Sequence, residues 1–344
     1  MAMKKILITG GAGYIGSHTA IAMVNSGFEP VILDDFSNSE KSMLVGLRDI
    51  LGRDIQCYEG NCNDKTFLEQ VFAENDFLGV IHFAAFKAVG ESTQKPLKYY
   101  ANNIGSLLVL LETMEKFEVK NLVFSSSCTV YGQPDVLPVL ESTPRKDAES
   151  PYGNTKKIGE DILRDYIKSK PGARAIALRY FNPIGAHPSA AIGELPLGVP
   201  ANLVPFITQT AVGIREKLTL YGNDYDTVDG TCVRDYIHVM DLADAHVKAL
   251  EYLAQQELDF FDLFNVGTGN GNTVLEVIHA FEKVSGMPLN YQVGPRRPGD
   301  VEKTWANTDK INSKLGWKAQ YSLEDSLRDS WKWQQKLEES RVLK

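Results

Sequence analysis

At 344 residues, 43% hydrophobic and 23% charged, the chain has room for one large α/β domain or two domains sharing a cleft, and its composition excludes disorder. A net charge of -8 excludes a broad basic face for nucleic acid or anionic lipid, so an anionic ligand must meet a local cluster of cations. Four cysteines, Cys57, Cys62, Cys128 and Cys232, lack the density and spacing of a disulfide framework or zinc site, and no stretch approaches the roughly 20 apolar residues of a membrane span. With no signal-like segment before the first strand, the expected compartment is the cytoplasm.

Short β-rich apolar runs alternate with longer helical patterns through the first half: Lys5–Thr9, Pro30–Asp34, Ile55–Glu59, Val80–Ala84, Asn121–Ser127 and Ala175–Tyr180. That rhythm predicts repeated βαβ units, hence an α/β fold with a doubly wound parallel Rossmann sheet. Amphipathic helices are expected from Pro96 to about Phe117 and from near Tyr152, the latter with Ile158, Ile162 and Tyr166 spaced along one face. Beyond Phe181 the chain becomes rich in Pro- and Gly-punctuated loops, which predicts a first domain over 1–181 and a smaller α/β substrate-binding domain over 182–344. A helix at Val239–Leu253 and a strand at Phe260–Val266 are expected to return to the first domain.

Directly after the first strand stand Gly10-Gly11-Ala12-Gly13-Tyr14-Ile15-Gly16, followed by a helix-compatible run. Gly10, Gly13 and Gly16 permit a tight turn, close approach of backbone to a pyrophosphate, and close packing of helix on strand. Glycines alone mark only a turn; the strand-turn-helix context points to a dinucleotide. Asp34 ends the second strand about 20 residues on, where an acid binds the adenosine ribose. Asp35 follows, with no Arg beside the pair, which favours NAD over NADP; an acidic pair there also caps a turn at Ser37–Ser39.

Tyr152 and Lys156 fall one turn apart on one helix face. A tyrosine is a poor base at neutral pH, and an adjacent ammonium lowers its pKa. Four-residue spacing of this kind is also common on solvated faces. The decisive addition is Ser125-Ser126-Ser127 at the end of the fifth strand, on the carboxyl edge of the sheet.

The glycine pattern, strand-end serine and Tyr-x-x-x-Lys pair, in that order, resemble the extended short-chain dehydrogenase/reductase family. Five segments, 10–18, 82–96, 124–132, 179–188 and 233–244, narrow the resemblance to its UDP-hexose 4-epimerases, and the likeness runs from about Lys4 to Trp333. The resemblance implies interconversion of UDP-glucose and UDP-galactose by NAD-mediated hydride transfer through a 4-keto-sugar. Tyr152 would be the base, Lys156 the ribose-binding and pKa-lowering residue, and Ser127 the hydrogen-bonding partner of the reacting oxygen. Cofactor contacts would come from Gly10, Gly13, Tyr14, Ile15, Gly16, Asp34, Asp35, Asn38, Ser39, Asn61, Cys62, Phe83, Ala84, Ala85, Lys87, Asn102, Ser125 and Tyr180, with Tyr152 and Lys156. The UDP-hexose would meet Lys87, Ser127, Tyr152, Asn182, Asn202, Leu203, Thr219, Tyr221, Arg234, Tyr236, Arg297, Asp300 and Thr304. Arg234 and Arg297 supply the cationic clamp that the acidic chain requires.

Asn61-Cys62 departs from the family's usual Asp followed by an apolar residue beside the adenine. An amide still accepts a hydrogen bond there. Thr304 stands where members limited to glucose and galactose carry Tyr, which implies room for N-acetylated sugars. The resemblance also implies a homodimer joined through the helices at 96–117 and 152–168. No histidine pair has metal-ligand spacing, so no metal is expected. A 4,6-dehydratase would carry Asp-Glu after a strand-end Thr, where this chain has Ser127-Cys128-Thr129. A non-catalytic NAD sensor should have lost Tyr152 or Lys156, and both are present.

Overall fold

A computed structural model describes residues 3–169, 172–297 and 300–342. Six strands, β1 (Lys5–Thr9), β2 (Glu29–Asp34), β3 (Cys57–Glu59), β4 (Phe77–His82), β5 (Asn121–Ser127) and β6 (Arg174–Tyr180), join the strand Phe260–Val266 in one seven-stranded sheet. Its order is Phe260–Val266, β6, β5, β4, β1, β2, β3, and every pairing is parallel. The order reverses between β1 and β4. At such a switch point the crevice beyond the carboxyl ends of the strands receives ligands.

Strands buried on both faces read as continuous apolar runs, and alternate residues feed two cores. Ile6, Ile8, Ile32, Ile81, Val123, Ile176 and Leu178 face one, with Ala20 and Met23 of α1 (Tyr14–Asn25) and Leu242 to Leu253 of the helix Val239–Leu253. Leu7, Val31, Leu33, Val80, Leu122 and Phe124 face the other, with Leu107, Leu110 and Met114 of the helix Pro96–Lys116 and Leu163 of the helix Pro151–Ser169. A third core, including Ile184, Ile207, Leu220, Val277, Phe281 and Leu327, is drawn wholly from the second half of the chain. The chain between these parts crosses back: Phe260–Val266 pairs with β6, and Ile311, Leu315 and Trp317 pack into the first core.

One helix buries a mixed face. On the helix Pro151–Ser169 the buried positions are Gly153, Thr155, Lys156, Gly159, Glu160, Leu163 and Ile167, whereas Ile158, Ile162 and Tyr166 are half-buried. The helix turns two charged residues inward because each finds a partner there. Among the described residues no helix is long and apolar enough to cross a membrane.

Candidate active site

The glycine loop is fixed by sterics. Gly10 has φ +69°, and a Cβ there would come within 2.9 Å of Ala84 N; one at Gly16 would come within 2.4 Å of Gly10 O. No side chain caps α1 at Gly13, which leaves its N-terminal dipole to an anion. Ile15 packs at the core edge, and the Tyr14 hydroxyl donates to Gly185 O at 2.7 Å.

Asp34 holds this loop from the side. Its carboxylate accepts from Ala12 N at 3.0 Å, Phe36 N at 2.9 Å and Ser39 Oγ at 2.8 Å, so it caps the following turn as well. Burial nevertheless holds its pKa above the usual carboxylate value. Exposed Asp35 accepts from Ser37 N and Asn61 Nδ2. Asn63 donates to Asn61 Oδ1 and Asn102 Oδ1, tying these residues into one polar run, while Asn38 is exposed and Cys62 buried. Across the switch point, Phe83 packs against His246 with ring centroids 4.7 Å apart and the planes tilted by 56°, Ala84 N donates to Thr9 Oγ1, and half-buried Ala85 follows.

Beyond β5 lie the residues expected to react. Lys156 Nζ donates to Ser125 O at 2.6 Å and lies 3.3 Å from Ser125 Oγ; it sits 6.0 Å from the Tyr152 ring centroid. Ser127 Oγ accepts from Thr129 N at 3.2 Å and lies near enough to Tyr152 to pull its phenol downward. Tyr180, next to Ser127 in register on β6, bonds His246 Nε2 through its hydroxyl at 2.5 Å. Burial pushes the Tyr152 phenol up to about 12 and Lys156 down to about 7. For Tyr152 burial outweighs the opposing pull of Ser127, and for Lys156 burial is the cause; the expected lowering of the phenol requires the ammonium together with a bound nicotinamide.

The opposite wall carries the cations. Arg234 Nη2 and Arg297 Nη2 both donate to Asp300 Oδ1, at 2.8 Å and 3.1 Å, and the Arg297 guanidinium lies 5.7 Å from the Tyr221 ring. Tyr221 and Thr219 lie on the strand Leu218–Tyr221, and buried Tyr236 on Tyr236–His238, which pairs with Asn182 in register. Thr304 is buried and pairs in register with Arg234. Asn202 precedes half-buried Leu203 at the start of the helix Leu203–Ala211 and donates to Glu194 Oε1, which Lys87 also reaches.

Two features escaped the sequence reading. Glu160, with a side chain 0% exposed, accepts from Ser126 Oγ at 2.6 Å, from Arg179 Nε and Nη2 at 2.8 and 2.7 Å, and from Arg145 at 3.3 Å. It continues the four-residue spacing of Tyr152 and Lys156, which was the available signal. Glu194 carried none, since its partners lie on separate segments. Among the described residues no three His, Cys, Asp or Glu side chains group as metal ligands, and buried His18 bonds Tyr14 O.

A family model described as GDP-mannose 4,6 dehydratase matches residues 7–330. A UDP-glucose 4-epimerase of Bacillus subtilis (strain 168) is 51% identical over 329 residues, 96% of each chain. Among solved structures, UDP-glucose 4-epimerase from Bifidobacterium longum in complex with NAD+ and UDP superposes with a TM-score of 0.93 at 46% identity, covering 97% of this chain and 98% of that one. UDP-glucose-4-epimerase from Stenotrophomonas maltophila, with bound NAD and formylated UDP-arabinopyranose, gives 0.95 at 42% identity, covering 98% and 100%. With the family model spanning most of its length and end-to-end identity at these levels, the chain belongs to the GDP-mannose 4,6-dehydratase family and, within it, to the UDP-glucose 4-epimerases.

Proposed function

We propose that the protein interconverts UDP-glucose and UDP-galactose, with NAD held in the crevice between the glycine loop and the Tyr152 helix. The observation that carries the reading is one arrangement: Tyr152, Lys156 and Ser127 converge at the carboxyl edge of β5, facing a wall that holds Arg234 and Arg297. The residues fit the cofactor, because any side chain at Gly10 or Gly16 would collide with backbone where the pyrophosphate is expected, and the α1 terminus is uncapped.

NAD, when bound, would supply a hydride acceptor and donor for C4 of the sugar and a positive charge that favours the ionised phenol of Tyr152. Tyr152 takes the proton of the 4-hydroxyl and gives it back, with Ser127 hydrogen-bonding the same oxygen. Burial holds the Tyr152 phenol up at about 12, so for Tyr152 to be ionised and free to accept the 4-hydroxyl proton it would need positive charge beside it. Lys156, held by Ser125, contributes charge and a donor for the ribose. Arg234 and Arg297 exchange their shared Asp300 for diphosphate oxygens and so hold the nucleotide while the sugar turns.

A dehydratase needs an acid and a base for water loss. The residues following Ser127 are a thiol that burial pushes up to about 12 and a threonine, neither suited to that work. Buried Thr304, beside Arg234, supports acceptance of UDP-N-acetylglucosamine and UDP-N-acetylgalactosamine, because threonine leaves volume that tyrosine would fill. The half-buried stripe Ile158, Ile162 and Tyr166, with Leu97 and Leu108 exposed on the neighbouring helix, supports a homodimer through these helices. The test of the activity is conversion of UDP-galactose to UDP-glucose by purified protein without added NAD, with NAD released on denaturation. Protein that carries NAD and leaves UDP-galactose unchanged would defeat it.

A further inference from the structure

Glu194 links the loop after β4 to the start of the helix Leu203–Ala211, and its own loop is held at several points. Ala186 bridges Gly193 and His187 N donates to Ile192 O, which folds 186–193 back on itself. Trp333 of the last helix donates from Nε1 to Glu194 O at 2.9 Å, and a Cβ on Gly193 would come within 2.5 Å of the Trp333 ring. On the other side of the loop, a Cβ on Gly46 would come within 2.2 Å of Ala191 O. Tyr14, at the start of α1, bonds Gly185 O.

The side chain projected from this loop is 11% exposed and uses one oxygen for two partners. Oε1 accepts from Asn202 Nδ2 at 2.6 Å and from Lys87 Nζ at 3.4 Å. Lys87 lies in the loop after β4, Asn202 at the start of the helix Leu203–Ala211. A carboxylate only accepts, so it dictates which end of the Asn202 amide faces it: the NH2 turns to Glu194 and the carbonyl oxygen is left for a donor elsewhere. That amide does not cap its own helix.

We propose that Glu194 is a positioning residue for the UDP-sugar site, orienting the Asn202 amide and drawing Lys87 across the crevice before substrate arrives. This rests on the function proposed above. The pre-set amide and ammonium lower the ordering cost of nucleotide binding, and the effect falls on affinity rather than on the proton transfer at Tyr152. Gln at this position still offers a carbonyl to Asn202 but no charge to Lys87, whereas Ala offers neither.

The experiment measures UDP binding by calorimetry on NAD-loaded protein, together with kcat and KM for UDP-galactose. Glu194→Ala is expected to weaken UDP binding about tenfold and raise KM in step, with kcat within about threefold of wild type, the size of one lost charged hydrogen bond. Glu194→Gln should recover most of that loss. Trp333→Phe, which keeps the ring against Gly193 and removes the bond to Glu194 O, should show a smaller loss of the same kind. Wild-type UDP affinity in Glu194→Ala, or a fall in kcat with unchanged KM, would overturn the assignment. Wild-type protein that fails to bind UDP would instead overturn the functional reading beneath it.

Discussion

The Glu160–Arg179 pair gives a prediction with a definite size. Both side chains are within 1% of complete burial, and Arg179 bonds Glu160 through two nitrogens while its Nη1 donates to the Tyr131 hydroxyl at 2.8 Å. Replacing Glu160 with Gln keeps the shape and leaves a guanidinium buried without an anion. Breaking a buried pair in this way costs about 3–5 kcal/mol. The unfolding entropy of ~2.1 cal/mol/K per residue over 344 residues is ~0.7 kcal/mol/K, so the melting temperature should fall by about 4–7 °C. Arg179→Met should fall similarly. The double variant Glu160→Met with Arg179→Met should be less destabilised than either single change, because it removes both desolvation penalties together. Thermal unfolding followed by circular dichroism reads all three. A single variant melting with the wild type, or a double variant at the sum of the singles, would refute the view that Ser126, Glu160 and Arg179 act as one buried unit behind Ser127.

In nucleotide-free protein, Lys156 has a folded pKa of about 7 against an ordinary 10.5. The unfolded chain therefore holds a proton the folded one releases, and this group's contribution to stability rises with pH through that window. Wild type should gain on Lys156→Met between about pH 7 and pH 10 in melting experiments; a flat or shrinking gap contradicts the lowering of the Lys156 pKa by burial. Thr304→Tyr should abolish turnover of UDP-N-acetylglucosamine while preserving that of UDP-galactose, checked by chromatography of the products, and equal retention of both would remove Thr304 as the gate. Light scattering at micromolar concentration should give a mass near twice that of the chain, whereas monomer alone would refute the dimer.

Periodicity and turn chemistry were enough for the sheet, since Ile6 to Thr9, Val31 to Asp34 and Leu122 to Ser127 are short apolar runs bounded by turn signals, as strands buried on both faces are. The inner face of the Tyr152 helix was not legible that way. A hydrophobic count alone gives Lys156 and Glu160 no place inside, while Ile162 and Tyr166 pack only partly against the second core. What decides the orientation is partners on other segments, Ser125, Ser126 and Arg179, whose proximity only folding supplies. Glu194 is the stronger case, as Lys87 lies 107 residues away and Asn202 in a different turn. The charge state of Tyr152 was equally hidden: spacing placed Lys156 nearby, but burial, which spacing does not report, sets the phenol high.

The most direct test of hydride passage at C4 uses UDP-galactose carrying deuterium at that carbon. Tyr152 handles only the hydroxyl proton, so the label should stay on C4 of the UDP-glucose formed, with no deuterium lost to solvent and no reduced cofactor accumulating. Tyr152→Phe should slow this conversion about 100-fold or more while remaining folded. Deuterium washing out into water, or appearing at C6 of a deoxy-sugar product, would contradict epimerisation through Tyr152, Lys156 and Ser127.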